Sequence, residues 1–327
     1  MAHPASAETV ARAPRAWLRV AKFVVGILVV LFVARALLQQ WQALRGQPLE
    51  ASPEWSRIAA SGALFLLAHA TLVQTWRAML GSWEARLPFW RAARIWSVSN
   101  LYRYLPGKLW QIGAMGVMAQ QEGVTATAAA ATAVLSTVVN IAAGIAIALA
   151  TGWRALDAIR PGARDVAIAL TVAASAGLLT LPWLLPHMTG LLSRVSGKEL
   201  SLERLPARAI VYAILGNVTA WLLYGAAFHL FTLGVLGSAA GATSSYIAVY
   251  TSSYVLGYLA FFIPGGLGVR ESAAAVALVT LGLTTLPQAA LVAATSRLWL
   301  TLLELVPGFL FLARDASRRR QQPLDQA

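Results

Sequence analysis

Two polar segments interrupt apolar stretches of the chain, and each contains a proline followed by a glycine. The first is Tyr104-Leu105-Pro106-Gly107-Lys108, and the second is Phe262-Ile263-Pro264-Gly265-Gly266-Leu267-Gly268-Val269-Arg270-Glu271. A proline ends the preceding helix because it lacks an N–H, and glycines let the backbone approach a ligand closely. A helix that starts after such a break presents free N–H groups and the positive end of its dipole, which together attract anions. We therefore predict anion binding at both breaks.

Charged side chains near the breaks supply candidate contacts to such an anion. Lys108 and Arg270 stand where the two following helices begin, and an arginine can bind phosphate through two parallel hydrogen bonds. Arg297 and Glu304 lie inside the last apolar stretch, where each costs about 2.5–3.5 kcal/mol on membrane-insertion scales. They share a helix face about 10 Å apart along the axis, so each needs another partner, and we predict Glu271 for Arg297. The predicted substrate-contacting residues are Lys108, Gln111, Pro264, Gly265, Gly266, Gly268, Arg270, Glu271, Arg297 and Glu304, with Pro106 and Gly107 as a hinge.

Each of these features also has a purely structural interpretation. Prolines kink buried helices and glycines permit close helix packing, which is sufficient to explain Pro106 and Gly107. An acid in the first turn of a helix is favourable through the dipole alone, which would account for Glu271. An Arg297 ion pair would lock helices together. At the second break, three glycines, an arginine and a glutamate exceed what a kink requires, so we favour binding there.

The composition places these residues in a membrane. Of the 327 residues, 58% are hydrophobic and 12% are charged, whereas soluble proteins carry about 25% charged residues. A bilayer core of about 30 Å takes roughly 20 apolar residues per helix. We therefore predict an all-α integral membrane protein with about eight transmembrane helices, near 18–38, 58–77, 88–105, 124–151, 165–186, 208–235, 244–263 and 288–313.

Two further segments, 108–122 and 270–281, are too short to span and are predicted to be re-entrant half-helices. The span at 88–105 carries arginines and could instead belong to a re-entrant hairpin. Each break is followed by a Gly-x-Thr motif, with 123 − 106 = 17 and 282 − 264 = 18 residues from the proline. Broken helices at matching positions of two halves indicate a transporter site. We predict one transmembrane domain, 17–314, whose halves (about 17–151 and 165–314) form a parallel four-plus-four repeat, with basic tails at 1–16 and 315–327.

The formal charge of +13 comes from basic residues that flank the spans. They form no separate basic module, so we expect no nucleic-acid partner. The positive-inside rule places both termini in the cytoplasm, although the loop 187–207 is then outside and carries Arg194, Lys198 and Arg204. The basic start and the apolar run 23–33 also fit a cleaved signal peptide. Abundant alanine, with 23 arginines against three lysines, indicates a GC-rich bacterium and its cytoplasmic (inner) membrane.

Both breaks resemble motifs of one family, the transmembrane region of lysylphosphatidylglycerol synthases and its stand-alone flippase-like relatives. Residues 264–271, followed by Gly282, Ala289-Ala290 and Arg297, are similar to the family's closing signature, and 104–111 to a variant of its earlier one. Many relatives carry a charged residue shortly after the first proline-glycine pair, where this chain has Gln111, Ala114 and Met115. Only 314–327 follow the last predicted span, with no soluble aminoacyl-transferring domain there. We therefore expect no lipid aminoacylation by this chain.

The resemblance and the breaks together predict a flippase-like lipid translocase. It would bind an anionic lipid headgroup, of a phospholipid or a polyprenyl-phosphate-linked lipid, in an intramembrane cavity and move it between leaflets. The alternatives are a membrane scaffold or accessory subunit for a separately encoded lipid- or lipid-linked-sugar-modifying transferase, and an integral-membrane transferase. All four aspartates lie in loops or the tail, so no carboxylate pair for acid–base catalysis is visible. We expect no cofactor and no metal, and the sequence leaves the oligomeric state open.

Overall fold

The computed structural model describes residues 53–83, 85–104, 109–159, 206–260 and 263–321, and scattered residues between 162 and 180. These ranges are helical and contain no strand. The predicted span at 18–38, nearly half of that at 165–186, and Pro106, Gly107 and Lys108 lie outside the described residues. The helices are α1 (Trp55–Gly81), α2 (Phe89–Leu101), α3 (Leu109–Gln121), α4 (Ala126–Ile159), α5 (Ala207–Leu236), α6 (Thr243–Leu259), α7 (Val269–Thr280) and α8 (Leu286–Gln321).

Four of these helices are long and apolar enough to cross a membrane. They are α1, α5, the Ala131–Trp153 part of α4 and the Leu286–Asp315 part of α8. At a rise of 1.5 Å per residue, the 27 residues of α1 extend about 40 Å, which exceeds the bilayer core. These helices match the predicted spans 58–77, 124–151, 208–235 and 288–313. α8 stays helical to Gln321, past the predicted start of the C-terminal tail at 315.

The remaining helices are short and flank the two breaks. α2 and α3 have 13 residues each and α7 has 12, so they extend only about 20 Å. A 3-10 turn at Tyr102–Tyr104 ends α2, and a second at Pro264–Gly266 separates α6 from α7. Helices are therefore present where the half-helices 108–122 and 270–281 were predicted. The predicted span 88–105 is a helix that ends at Leu101.

Each break joins two antiparallel helices into a hairpin. In the first hairpin (89–121), Arg91 and Arg94 near the start of α2 lie 3.0 and 3.3 Å from the Glu122 carboxylate, just beyond α3. In the second hairpin (243–280), Gly241 precedes α6 and Leu283 follows α7. These two residues are in contact, because a Cβ added to Gly241 would lie 2.5 Å from the Leu283 side chain. Each hairpin thus returns to the end from which it started. We call these the first and second open ends.

The two hairpins lie tip to tip along α8. Arg297 Nη2 donates to the carbonyl of Gly265 at the second tip, at 2.7 Å. Seven residues on, Glu304 accepts from Arg103 at the first tip, and Asp315 lies 2.7 Å from Arg94 at the first open end. The two 3-10 turns also contact each other. Because α8 passes both tips in sequence, the two open ends lie at opposite ends of this helix.

The other long helices repeat this arrangement in reverse. α4 starts at the first open end and continues along α6, with Gly144 beside Val255 and Gly152 beside Ala248. The contact of α2 with α8 therefore has its counterpart in the contact of α6 with α4. α1 and α5 pack against each other antiparallel, because Ile58 lies beside Gly234 and Ser82 accepts a hydrogen bond from Arg208. α1–α4 thus correspond to α5–α8 in a pseudo-two-fold pattern.

Candidate functional site

Glycine backbone shapes the second tip. Gly265, Gly266 and Gly268 have φ angles of 60, 65 and 82°, in the left-handed region that side chains disfavour. A Cβ on Gly266 would lie 2.6 Å from the carbonyl oxygen of Gly257 in α6. The turn can therefore pack directly against the α6 backbone, as the glycine-rich sequence predicts for a close approach.

Glu271 caps the start of α7. Its Oε2 accepts a hydrogen bond from the backbone N–H of Gly268 at 2.6 Å, which is the half of a capping box that the third helical residue supplies. In this conformation the protein's own carboxylate thus occupies the position at the helix start that was predicted for a ligand anion.

Arg297 reaches the same tip from α8 and pairs with Glu271. Its Nε lies 3.2 Å from Glu271 Oε1, so the predicted partner is confirmed. Neither of these two atoms makes a well-aligned hydrogen bond, so their attraction is electrostatic. The hydrogen bond from Nη2 to Gly265 holds the guanidinium in place. Arg297 is only 5% exposed, so the pair is shielded from solvent.

Arg270, the first charged residue of α7, lies against two aromatic rings. Its guanidinium carbon is 5.0 Å from the ring centre of Tyr250 and 4.6 Å from that of Tyr254. Both distances are within the range of cation–π attraction. Arg270 is buried and forms no ion pair with any described carboxylate. Sequence reasoning missed these tyrosines, although their i, i+4 spacing places them on one face of α6.

The first tip contains a second ion pair, between the partly exposed Arg103 and the buried Glu304. Arg103 Nη1 lies 3.0 Å from Glu304 Oε2, and Arg103 Nη2 donates to Asn100 Oδ1 at 3.2 Å. Gln111 donates its amide to the same Asn100 oxygen at 2.6 Å. Glu304 therefore has a partner other than Arg297, as its spacing required. Sequence reasoning counted Arg103 only among the arginines that flank or enter the predicted span 88–105, although its position just before the proline-glycine pair signals a role at the tip.

The tips together bring three arginines and two glutamates near the middle of the long helices: Arg103, Arg270, Arg297, Glu271 and Glu304. One net positive charge results among these described residues. Arg270, Glu271 and Arg297 line an enclosed cavity of about 10 Å³, which is room for about one water molecule. The arrangement is suited to an anion, and the tips are closed in this conformation.

The comparison with protein families agrees with the motif analysis. A model of the lysylphosphatidylglycerol synthase TM region matches residues 19–308, which contain both hairpins and all the site residues. No curated protein matches the sequence. The match covers well over half of the 327 residues and confirms the family indicated by the two breaks. The chain belongs to the lysylphosphatidylglycerol synthase transmembrane-region family.

Proposed function

We propose that the protein moves an anionic lipid headgroup between the leaflets, past the two hairpin tips. Membership of its family indicates a role connected with membrane lipids. The observation that carries the more specific proposal is the buried Arg270, which has aromatic partners but no described carboxylate partner. A phosphate could take up this surplus charge through two parallel hydrogen bonds. The acyl chains would remain in lipid while the headgroup passes.

The hairpin geometry supports a re-entrant arrangement. The hairpin helices have 12 to 17 residues and extend about 18–26 Å, which is short of a core of about 30 Å, and each hairpin returns to its own end. We infer that the first hairpin enters from one membrane face and the second from the other, because α8 connects their open ends. The spans predicted at 88–105 and 244–263 then do not cross. The halves would be related by inversion, in place of the parallel repeat expected from the sequence.

The distribution of arginines favours the first open end as the cytoplasmic one. Nine arginines of the described helices and loops lie near it or just beyond it on α8: Arg77, Arg86, Arg91, Arg94, Arg208, Arg314, Arg318, Arg319 and Arg320. Near the other end are Arg57 and Arg154, with Arg164 over the ring of Trp153. The positive-inside rule then places the first open end inside. The loop 187–207 leads into the start of α5 at this end, so its basic residues no longer conflict with the rule.

Transport would require the tips to separate, because the present cavity holds about one water. The ion pairs of α8 with each tip are the contacts that hold the closed state together. Opening toward one membrane face would move one hairpin away from α8. Opening toward the opposite membrane face would move the other hairpin away from α8. In this scheme Arg270 binds the headgroup phosphate, while Arg297 and Glu271 position the tip beside it. Lys108 and Gln111 would face the headgroup from the first hairpin.

The test is headgroup movement in reconstituted vesicles. Fluorescent phosphatidylglycerol in the vesicles is exposed to dithionite, which bleaches only the label in the outer leaflet. Arg270→Gln should slow the movement by about tenfold or more, since it removes a charge-assisted contact. Arg314→Gln is the matched control, because Arg314 is exposed on α8 outside the tips. Equal rates for wild type and Arg270→Gln would reject the assignment of the site.

Lipid retained by the gently purified protein gives an independent measurement. Mass spectrometry should find one anionic lipid that is enriched in wild type and depleted in Arg270→Gln. The same bulk-like lipid in both proteins, together with no headgroup movement, would favour the scaffold function over transport.

A further inference from the structure

A groove lies between α1 and α5, apart from the hairpin tips. It has a volume of about 580 Å³, and Phe89 at the start of α2 contributes to its lining. Most of its lining is apolar or small, and Leu67 and Leu215 are more than half exposed. The lining residues on the long helices are Leu67, Ala70, Thr71, Gln74, Thr75, Ala78, Tyr212, Leu215, Gly216 and Thr219.

The groove has the depth of one leaflet. Its α1 lining runs from Leu67 to Ala78, which is about 16 Å at 1.5 Å per residue. Half of a bilayer core is about 15 Å. Ala78 lies in the last turn of α1, at the first open end, whereas Leu67 lies near the middle of the helix. A lipid chain standing in the leaflet at the first open end would therefore fill the groove along its whole length.

Basic residues lie at the end of this groove that is nearest the first open end. Arg77 follows Gln74 by three positions and Arg208 precedes Tyr212 by four, so each shares a helix face with a lining residue. Arg208 also donates to the carbonyl of Ser82 at 3.2 Å, which places it above the α1–α5 pair. Arg86 is exposed in the adjoining loop, which also contains Glu84. The three arginines exceed this one acid and create a positive field at headgroup height.

Polar groups inside the groove also suit a lipid. The hydroxyls of Thr71 and Thr75 donate to carbonyls of their own helix, at 2.9 and 2.7 Å. Gln74 is exposed and makes no hydrogen bond with another described residue. An amide at this depth requires a partner, because the hydrocarbon supplies none. The ester carbonyls of a glycerophospholipid can accept its hydrogen bonds.

We propose that this groove is a binding site for one anionic glycerophospholipid of the leaflet at the first open end. An acyl chain lies between α1 and α5, the ester region meets Gln74, and the phosphate lies beside Arg77 and Arg208. The site is separate from Arg270 and does not depend on headgroup transport.

Native mass spectrometry of the protein from bilayers of phosphatidylcholine and phosphatidylglycerol tests this site. Ala70→Trp, which fills the groove, should carry one phosphatidylglycerol fewer than wild type. Ala63→Trp is the matched control, since Ala63 is exposed two turns earlier on α1 and does not line the groove. The Arg77→Gln, Arg208→Gln double variant should bind phosphatidylglycerol about tenfold more weakly, as expected for the loss of a charge-assisted contact. Arg270→Gln should retain the groove lipid, which separates this site from the transport site.

Equal lipid counts in Ala70→Trp and Ala63→Trp would overturn the proposal. The chain contains no cysteine, so engineered cysteines can test for a protein occupant without background. Cross-linking of Leu215→Cys to a cysteine placed in 18–38, or to Leu215→Cys of a second copy, would show that protein fills the groove and would also overturn it. Absence of such cross-links, together with the lost phosphatidylglycerol in Ala70→Trp, supports the lipid site.

Discussion

Glu304 lies 3.0 Å from Arg103, and this ion pair joins the middle of α8 to the first break. Two turns earlier, Arg297 joins the same helix to the second break through Glu271. The two links have opposite polarity, because α8 supplies the acid in one and the base in the other. In each link the α8 residue is buried. Removal of one partner from a buried pair leaves an uncompensated charge, at a cost of about 3–5 kcal/mol.

Glu304→Gln should therefore destabilise the protein strongly. The variant leaves the Arg103 charge without its carboxylate, whereas the Arg103→Gln, Glu304→Gln double variant removes both charges. We expect the double variant to recover part of the loss, with a coupling energy of about 0.5–3 kcal/mol. Unfolding midpoints of the four proteins in one detergent measure this cycle. If the stability losses of the two single variants add up to the loss of the double variant, Arg103 and Glu304 do not stabilise each other.

Substitutions of Glu271 should separate its two roles. Glu271→Gln retains an oxygen that can accept from the Gly268 N–H but loses the charge opposite Arg297. Glu271→Ala loses the cap as well, which adds about 1 kcal/mol of destabilisation. Thermal unfolding should thus rank wild type above Glu271→Gln and Glu271→Ala lowest. Equal midpoints for the two variants would mean that the cap contributes nothing.

The sequence predicted the long helices well because apolar runs of span length have few alternatives in a membrane. It also predicted the Arg297–Glu271 pair, since a buried arginine requires a partner. The parallel repeat that it predicted depends on whether 88–105 crosses, and a run of apolar and basic residues fits a crossing or a returning helix equally. Contacts between separate helices, such as that of Arg270 with the Tyr254 ring, cannot be predicted from local sequence patterns.

Tyr254 should hold Arg270 through its ring rather than its hydroxyl. Tyr254→Phe keeps the aromatic face and should retain wild-type stability and headgroup movement. Tyr254→Leu removes the cation–π contact, which is worth about 0.5–2 kcal/mol, and should lower both the unfolding midpoint and the transport rate. Trp55→Leu is a suitable control, because that aromatic side chain is exposed at the start of α1, away from the tips and the groove. A loss in Tyr254→Phe as large as in Tyr254→Leu would contradict the role assigned to the ring.

The inverted arrangement that we propose makes a direct prediction about sidedness. Arg86 and Ser238 are exposed residues near the first and second open ends, respectively. The chain lacks cysteine, so Arg86→Cys and Ser238→Cys can each be labelled alone with a membrane-impermeant maleimide in intact cells. We expect Ser238→Cys to react from outside and Arg86→Cys to react only after the cells are opened, because the first open end carries more arginines. Reaction of both from the same side would mean that α1 and α5 do not carry the chain between opposite faces, and the hairpins would then have to enter from one face.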